Sequence, residues 1–236
     1  MSHLHIPDGI LPPILWLWGL ILTGGLLFVS GRASRRAGVR QIAFQSALGG
    51  IMLAVMAIPV PITAFDYCMT LAGPVGVLLG AAAAFQVSFV VTLILALLGQ
   101  GGFTVIGLNT LVLGLGAILA RPLYLRVVRT LGPPRAMAVA TAVSQLFSTV
   151  CWGVLLILSV RLTPDAAGNH EVEHTLIELW HRAGAAVVIP LLLAAVALEA
   201  LLGYGLAHFL ERVRPDLLPT PAAGVVARPT PSASTP

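Results

Sequence analysis

Lysine is absent from all 236 residues, so every basic side chain apart from histidine is an arginine. Without lysine no GxxxxGK[ST] loop can exist, and the chain cannot hydrolyse ATP through that motif. Charged residues make up only 9% of the sequence, against 58% hydrophobic, and the mean hydropathy is +0.97. That lies far outside the range of soluble domains. Cysteine occurs twice, at Cys68 and Cys151, with no CxxC spacing, so neither a disulfide framework nor a cysteine-rich metal knuckle is indicated. Lys and Arg are missing from the first ten residues, where Asp8 is the only charge, and this argues against a cleavable secretory signal. Short alternating segments of the kind that build a membrane barrel are also lacking.

Long apolar runs dominate what remains. Stretches of ~20 apolar residues cross a hydrocarbon core, and helices are the natural solution because each satisfies its own backbone. The expected fold is therefore an all-α integral membrane protein with about seven transmembrane helices, some of them short. The spans read as Leu11–Val29, Ile42–Ile58, the long run from Leu71 to Ala120, Ala136–Val160 and Ala183–Leu210. A mostly polar break, ITAFDYCMT, covers Ile62–Thr70, and a glycine-rich stretch, GQGGFTVIGLNT, covers Gly99–Thr110. Its glycines suit close backbone approach or a re-entrant turn. Residues 1–10 form an amino-terminal segment, 11–214 the helical membrane domain, and 215–236 a Pro/Ser/Thr/Ala tail expected to be disordered.

Arginine distribution orients the chain. The connectors Arg32–Arg40 and Arg121–Arg135 and the Arg212–Arg214 end carry most of it, and the positive-inside rule assigns all three to the cytoplasm. An odd number of passes must then lie between Leu71 and Ala120. Three short crossings there bring the total to seven, with the amino terminus outside and the carboxyl terminus cytoplasmic. The net charge of +4 is thereby spent on topology and lipid contact, with no nucleic acid implied.

Several polar residues then fall on the outer face. His3 and His5, with a free amine and a deprotonated amide, make a compact nitrogen donor set of the kind Ni²⁺ and Cu²⁺ accept, with Co²⁺ also suitable. If Met1 is removed, His3 becomes the second residue and can chelate together with the Ser2 amine. Asp66 and Cys68 offer a second ligand arm, or else a helix cap and a small buried thiol. Asp8, Gln100 and Asn109 are candidates for orienting the ligands. Glu199, in LEALLG, is an acid inside the last span and a functional candidate on that ground; a structural ion pair near the inner end is the competing reading. His170 to His174 satisfy HExxH in letters, as HEVEH. A zinc protease needs that motif in a stable helix with a third ligand, whereas here it sits in an acidic loop after Pro164 and Gly168.

HIPDGILPP, from His5, resembles the amino-terminal signature of the CbiM/NikM family, the membrane substrate-binding components of cobalt and nickel energy-coupling-factor importers. GQGGFTVIGLNTLVLG resembles that family's glycine-rich segment, LEALLG its glutamate-bearing last helix, and ERVRPDLLP its carboxyl end. The resemblance runs from about His5 to Leu218. It implies a seven-helix fold, Co²⁺ or Ni²⁺ as transported substrate and no organic cofactor. It implies as partners a transmembrane coupling subunit, cytoplasmic ATPase subunits and, as an option, a small accessory membrane subunit, all in the plasma membrane. It also implies a metal site made by the terminal amine, the amide and imidazole of the HIPDG histidine, here His5, and a second histidine after the second helix. Asn109 matches the asparagine that lies near the site.

Two departures stand out. Leu4 precedes His5, so a free amine is not adjacent to it; either translation starts at Leu4, or Ser2 and His3 take the chelating role. The second histidine is missing, and its place falls on or beside Cys68. The alternatives are a membrane-anchored zinc protease using HEVEH, a vitamin-binding component of the same importer type, and a scaffold without a ligand. The 6% aromatic content speaks against a vitamin pocket.

Overall fold

A computed structural model describes residues 11–35, 38–58, 60–62, 65–162 and 184–220. Seven α-helices lie within them: α1 Pro13–Ala33, α2 Val39–Met56, α3 Ala72–Leu79, α4 Ala81–Leu97, α5 Ile106–Leu131, α6 Pro133–Leu162 and α7 Gly184–Val213. Five are long and apolar enough to cross a membrane; α4 is an apolar helix of 17 residues, and α3 has eight. An all-helical membrane architecture of seven helices is what the sequence called for.

Local chemistry sets the boundaries. Pro13 opens α1 at its first position, where the missing N–H has no helical partner to lose. Gly80 separates α3 from α4 with φ +79°, and Gly132 separates α5 from α6 with φ +76°, conformations open to glycine at little cost. The break in the long run therefore falls at Gly80, just before the alanines Ala81–Ala84. The second arginine connector is corrected more deeply. Arg121, Arg126 and Arg129 are helical, α5 runs past Pro122 to Leu131, and Gly132 alone joins it to Pro133 of α6. Pro122 removes one rung of the ladder without ending the helix.

The polar break after α2 holds a small antiparallel hairpin, β1 Val60–Ile62 with β2 Phe65–Tyr67, in the register Val60↔Tyr67, Pro61↔Asp66, Ile62↔Phe65. Three-residue strands were not foreseen, because no alternating pattern is long enough to announce them.

α3 is only about 12 Å long, too short to cross a ~30 Å core unaided. Every residue from Ala72 to Leu78 is buried. The helix runs parallel to α5: a Cβ on Gly76 would meet the Ala117 backbone, and one on Gly80 would meet the Arg121 side chain. α1 crosses α5 as closely, since Gly107 abuts the Gly19–Leu20 backbone and the Thr23 hydroxyl donates to the Gly107 carbonyl at 2.7 Å. α5 is thus the central element, touching α1, α3, α4 and α6. Small residues let these helices approach to backbone contact, as membrane packing favours.

The arginine-bearing turns gather at one end. A cavity of about 430 Å³ there is lined by Ala33 and Ser34 of the α1 end, Gln41, Gly80 and Arg121. Arg214 chelates Asp216 with both of its nitrogens at 2.9 Å, and Arg40 adds a weaker favourable charge, so the Asp216 carboxyl is held below its ordinary range. Leu218, beyond the expected domain boundary, is buried in a cluster with Val77, Tyr124 and Met137.

Leu71, the residue before α3, has φ +52° and ψ +15°. A left-handed conformation costs a non-glycine residue ~1–2 kcal/mol. Leu71→Gly should therefore be more stable than Leu71→Ala by about 1 kcal/mol, the reverse of their order in a helix. Thermal unfolding of the two variants in the same detergent checks this, and alanine ranking above glycine would refute the strain.

Candidate metal site and its relatives

The functional residues must be sought at the end opposite the arginines. Leu11, where the described chain begins, is buried in a cluster with Phe85, Val105, Leu108 and Leu111. The amino-terminal segment therefore joins the bundle beside the first turns of α5. Asn109 sits in those turns, 4% exposed, with its amide donating to the Val105 carbonyl at 2.9 Å. Gln100 lies in the glycine-rich turn between α4 and α5, which has Gly99 at φ +78° and Gly101 at φ +145°. Its side-chain amide donates to the Ala57 carbonyl at 3.3 Å, so it ties that turn to the end of α2, from which the hairpin departs. The stretch is a short turn up to Val105 and the first turn of α5 from Ile106 on.

Cys68 follows β2 directly and is 3% exposed. Tyr67 pairs with Val60, just beyond the end of α2, so Cys68 lies near the same end that Gln100 contacts through Ala57. Asp66 is on β2, opposite Pro61. The described part of the candidate set, Cys68, Asn109 and Gln100, thus lies at one end of the bundle, together with the entry point of residues 1–10. Ser2, His3, His5 and Asp8 fall outside the described residues, and so does HEVEH. Among the described residues, no three of His, Cys, Asp and Glu come together as a metal-binding group.

Glu199 shows what the sequence could only flag. It lies near the middle of α7 and has 0% exposure. Its Oε1 accepts the Thr70 amide at 2.7 Å, and the Thr70 hydroxyl lies 3.1 Å and 3.0 Å from its two carboxylate oxygens. The Thr70 hydroxyl is also 3.2 Å from Gln145 Oε1 and accepts the Ala72 amide at 3.3 Å. Both the amide and the hydroxyl of Thr70 thus reach this acid in the middle of α7, away from the arginine end where an ion pair was considered. Thr70 and Gln145 carry no signal in sequence; only the tertiary fold brings them 129 and 54 positions from Glu199 into one cluster.

The described helices, five of them long and apolar enough to cross a membrane, thus enclose a buried polar cluster around Glu199, as expected of a multi-pass membrane protein. The family model for the cobalt uptake substrate-specific transmembrane region, CbiM, matches residues 5–217, and the chain belongs to that family. It is 27% identical over 224 residues to a protein of Geobacter sulfurreducens named cobalt transport protein CbiM, covering 91% of this chain and 61% of that protein. The chain thus spans about three fifths of that relative's length. A solved structure described as a truncated transition metal transporter shares the fold, with a TM-score of 0.66 and 19% identity, covering 88% of this chain and 98% of that one.

Proposed function

We propose that this chain is the substrate-specific membrane component of an ATP-driven importer of divalent transition metal, Co²⁺ or Ni²⁺, in the plasma membrane. The ion is taken at the outer face by the amino-terminal segment, with His5, His3 and the Ser2 amine as nitrogen donors and Cys68 as the thiolate arm. Asp8, Asp66, Asn109 and Gln100 orient these donors. Hydrolysis belongs to partners, since a lysine-free chain has no P-loop. Those partners are a transmembrane coupling subunit and cytoplasmic ATPases, with a small accessory membrane subunit as an optional member. The amino terminus lies outside and the carboxyl terminus in the cytoplasm, where the arginine end meets lipid headgroups and the coupling machinery.

One observation carries the reading: a buried thiol, Cys68, at the same end of the bundle where Leu11 delivers the histidine-bearing segment. The test is metal stoichiometry. The full chain is purified in detergent, its terminus is determined by mass spectrometry, and Co²⁺, Ni²⁺, Cu²⁺ and Zn²⁺ are titrated. About one Co²⁺ or Ni²⁺ per chain is expected, weakened at least tenfold in His5→Ala and in Cys68→Ala. Binding indifferent to both substitutions would sink the site.

A further inference from the structure

We propose that Glu199 is the positioning residue of the metal site: its carboxylate clamps Thr70 and thereby holds the Cys68–Thr70 segment in its ligand-presenting conformation. The inference rests on the thiol reading above and adds a residue from the far end of the chain to it.

An ionisable side chain in mid-span, wholly removed from solvent, is costly unless its oxygens are satisfied. Here Thr70, in a non-helical segment, directs both its amide and its hydroxyl at the same carboxylate. Cys68 lies two positions before Thr70, and the left-handed Leu71 immediately after it. The segment is thus pinned at Thr70, between a buried thiol and a strained turn. On the Cys68 side no helix holds the segment, because α3 begins only at Ala72, with Leu71 as its N-cap accepting the Val75 amide at 3.1 Å.

The packing around the clamp is shaped for it. A Cβ on Gly203, one turn beyond Glu199, would lie 2.5 Å from Thr141 Oγ1. A Cβ on Gly73 would lie 2.6 Å from Thr141 Cα. α7 and α3 therefore close on α6 around Thr141, which is the approach that lets the Glu199 carboxylate reach the Thr70 amide. Gln145, one turn along α6 from Thr141, bounds the hydroxyl on its other side at 3.2 Å. A carboxylate presents two acceptors to two donors of one residue, and this fixes both the position and the rotation of Thr70.

The test reads Cys68 with and without metal. In metal-free protein, maleimide labelling of Cys68 and Cys151 is followed peptide by peptide by mass spectrometry. Glu199→Ala should raise the Cys68 rate at least tenfold while the Cys151 rate stays unchanged, and Glu199→Gln, which keeps an acceptor for the amide, should stay within about threefold of the parent. Thr70→Val, which deletes only the hydroxyl arm, should give a smaller rise. With Co²⁺ added, Glu199→Ala should weaken binding about 10–100-fold, as loss of a ligand-orienting partner does. The cobalt–thiolate charge-transfer band should weaken with it, and Glu199→Gln should restore both. Parental Cys68 labelling in both Glu199→Ala and Thr70→Val overturns the clamp, and so does a parallel rise at Cys151, which marks general loosening. If Cys68→Ala itself leaves Co²⁺ binding and the band intact, the thiol reading falls and this role falls with it; the labelling rates still report the clamp separately.

Discussion

Gly76→Ala should abolish the folded protein, although it adds one methyl group to a helix and replaces glycine with the best helix former. The added Cβ would fall on the carbonyl of Ala117, with the Ala117 carbonyl carbon at 2.7 Å and its Cα at 2.9 Å. Every near atom is backbone, so no rotamer change can make room. α5 cannot retreat, because its other faces are packed against α1, α4 and α6. α3 cannot move away either, since on α6 the Thr141 backbone already meets Gly73. Overpacking that side chains can absorb costs ~1–3 kcal/mol. Here the clash is rigid on both sides, and a loss above about 4 kcal/mol is expected, a large share of a domain's typical ~5–15 kcal/mol. Gly50 is the internal control: its Cβ would meet nothing within 4 Å, so Gly50→Ala in α2 should be neutral or gain up to about 1 kcal/mol. Yield of monodisperse protein in detergent, with the melting temperature of each variant, separates the two. A Gly76→Ala protein that melts with the parent would mean that α3 does not touch α5 as described.

That contrast also marks what was legible in the sequence. Hydropathy and length gave the helices, and the arginine runs picked out the ends, because both are local properties of contiguous residues. The same runs misled at Arg121–Arg135, where four arginines and three prolines look like a loop. The single Gly132 does the turning, and the arginines lie within α5 and the start of α6. Glycine spacing told nothing of which glycines matter. Gly76 and Gly50 are alike in sequence, and only the fold makes one a contact and the other open space. For the site, Cys68, Asn109 and Gln100 were expected at one end, because topology alone assigns ends. Glu199 was suspect as an intramembrane acid, yet its partner Thr70 was invisible, since a threonine in FDYCMT has no feature that points to the last helix. Leu71 was invisible for a related reason. A left-handed leucine follows from tertiary restraint and contradicts local preference, so no sequence rule anticipates it.

Cys68→His should change which ion the protein prefers. A thiolate is a soft donor that favours thiophilic ions, whereas imidazole suits Ni²⁺ and Co²⁺ alongside the nitrogen donors of His3, His5 and the amine. With three nitrogen arms held constant, exchanging the fourth donor isolates its contribution. The ratio of Ni²⁺ to Zn²⁺ affinity should rise about a hundredfold, equivalent to ~2.7 kcal/mol at the site. A second signature is independent of affinity. A thiol must surrender a proton to become a ligand and a neutral imidazole need not, so the parent should release about one more proton per bound metal than Cys68→His. Titration in weak buffer with a pH indicator counts these protons directly. Space is the main physical obstacle, because Cys68 is 3% exposed and imidazole is larger than a thiol. Its placement just outside the helices, on the extended segment after β2, lets the backbone shift without breaking a helical ladder. Unaltered selectivity together with unaltered proton release, in a variant that folds and binds one metal, would show that Cys68 does not touch the ion. The thiol would then be packing, and the fourth donor would have to come from another residue at the same end of the bundle.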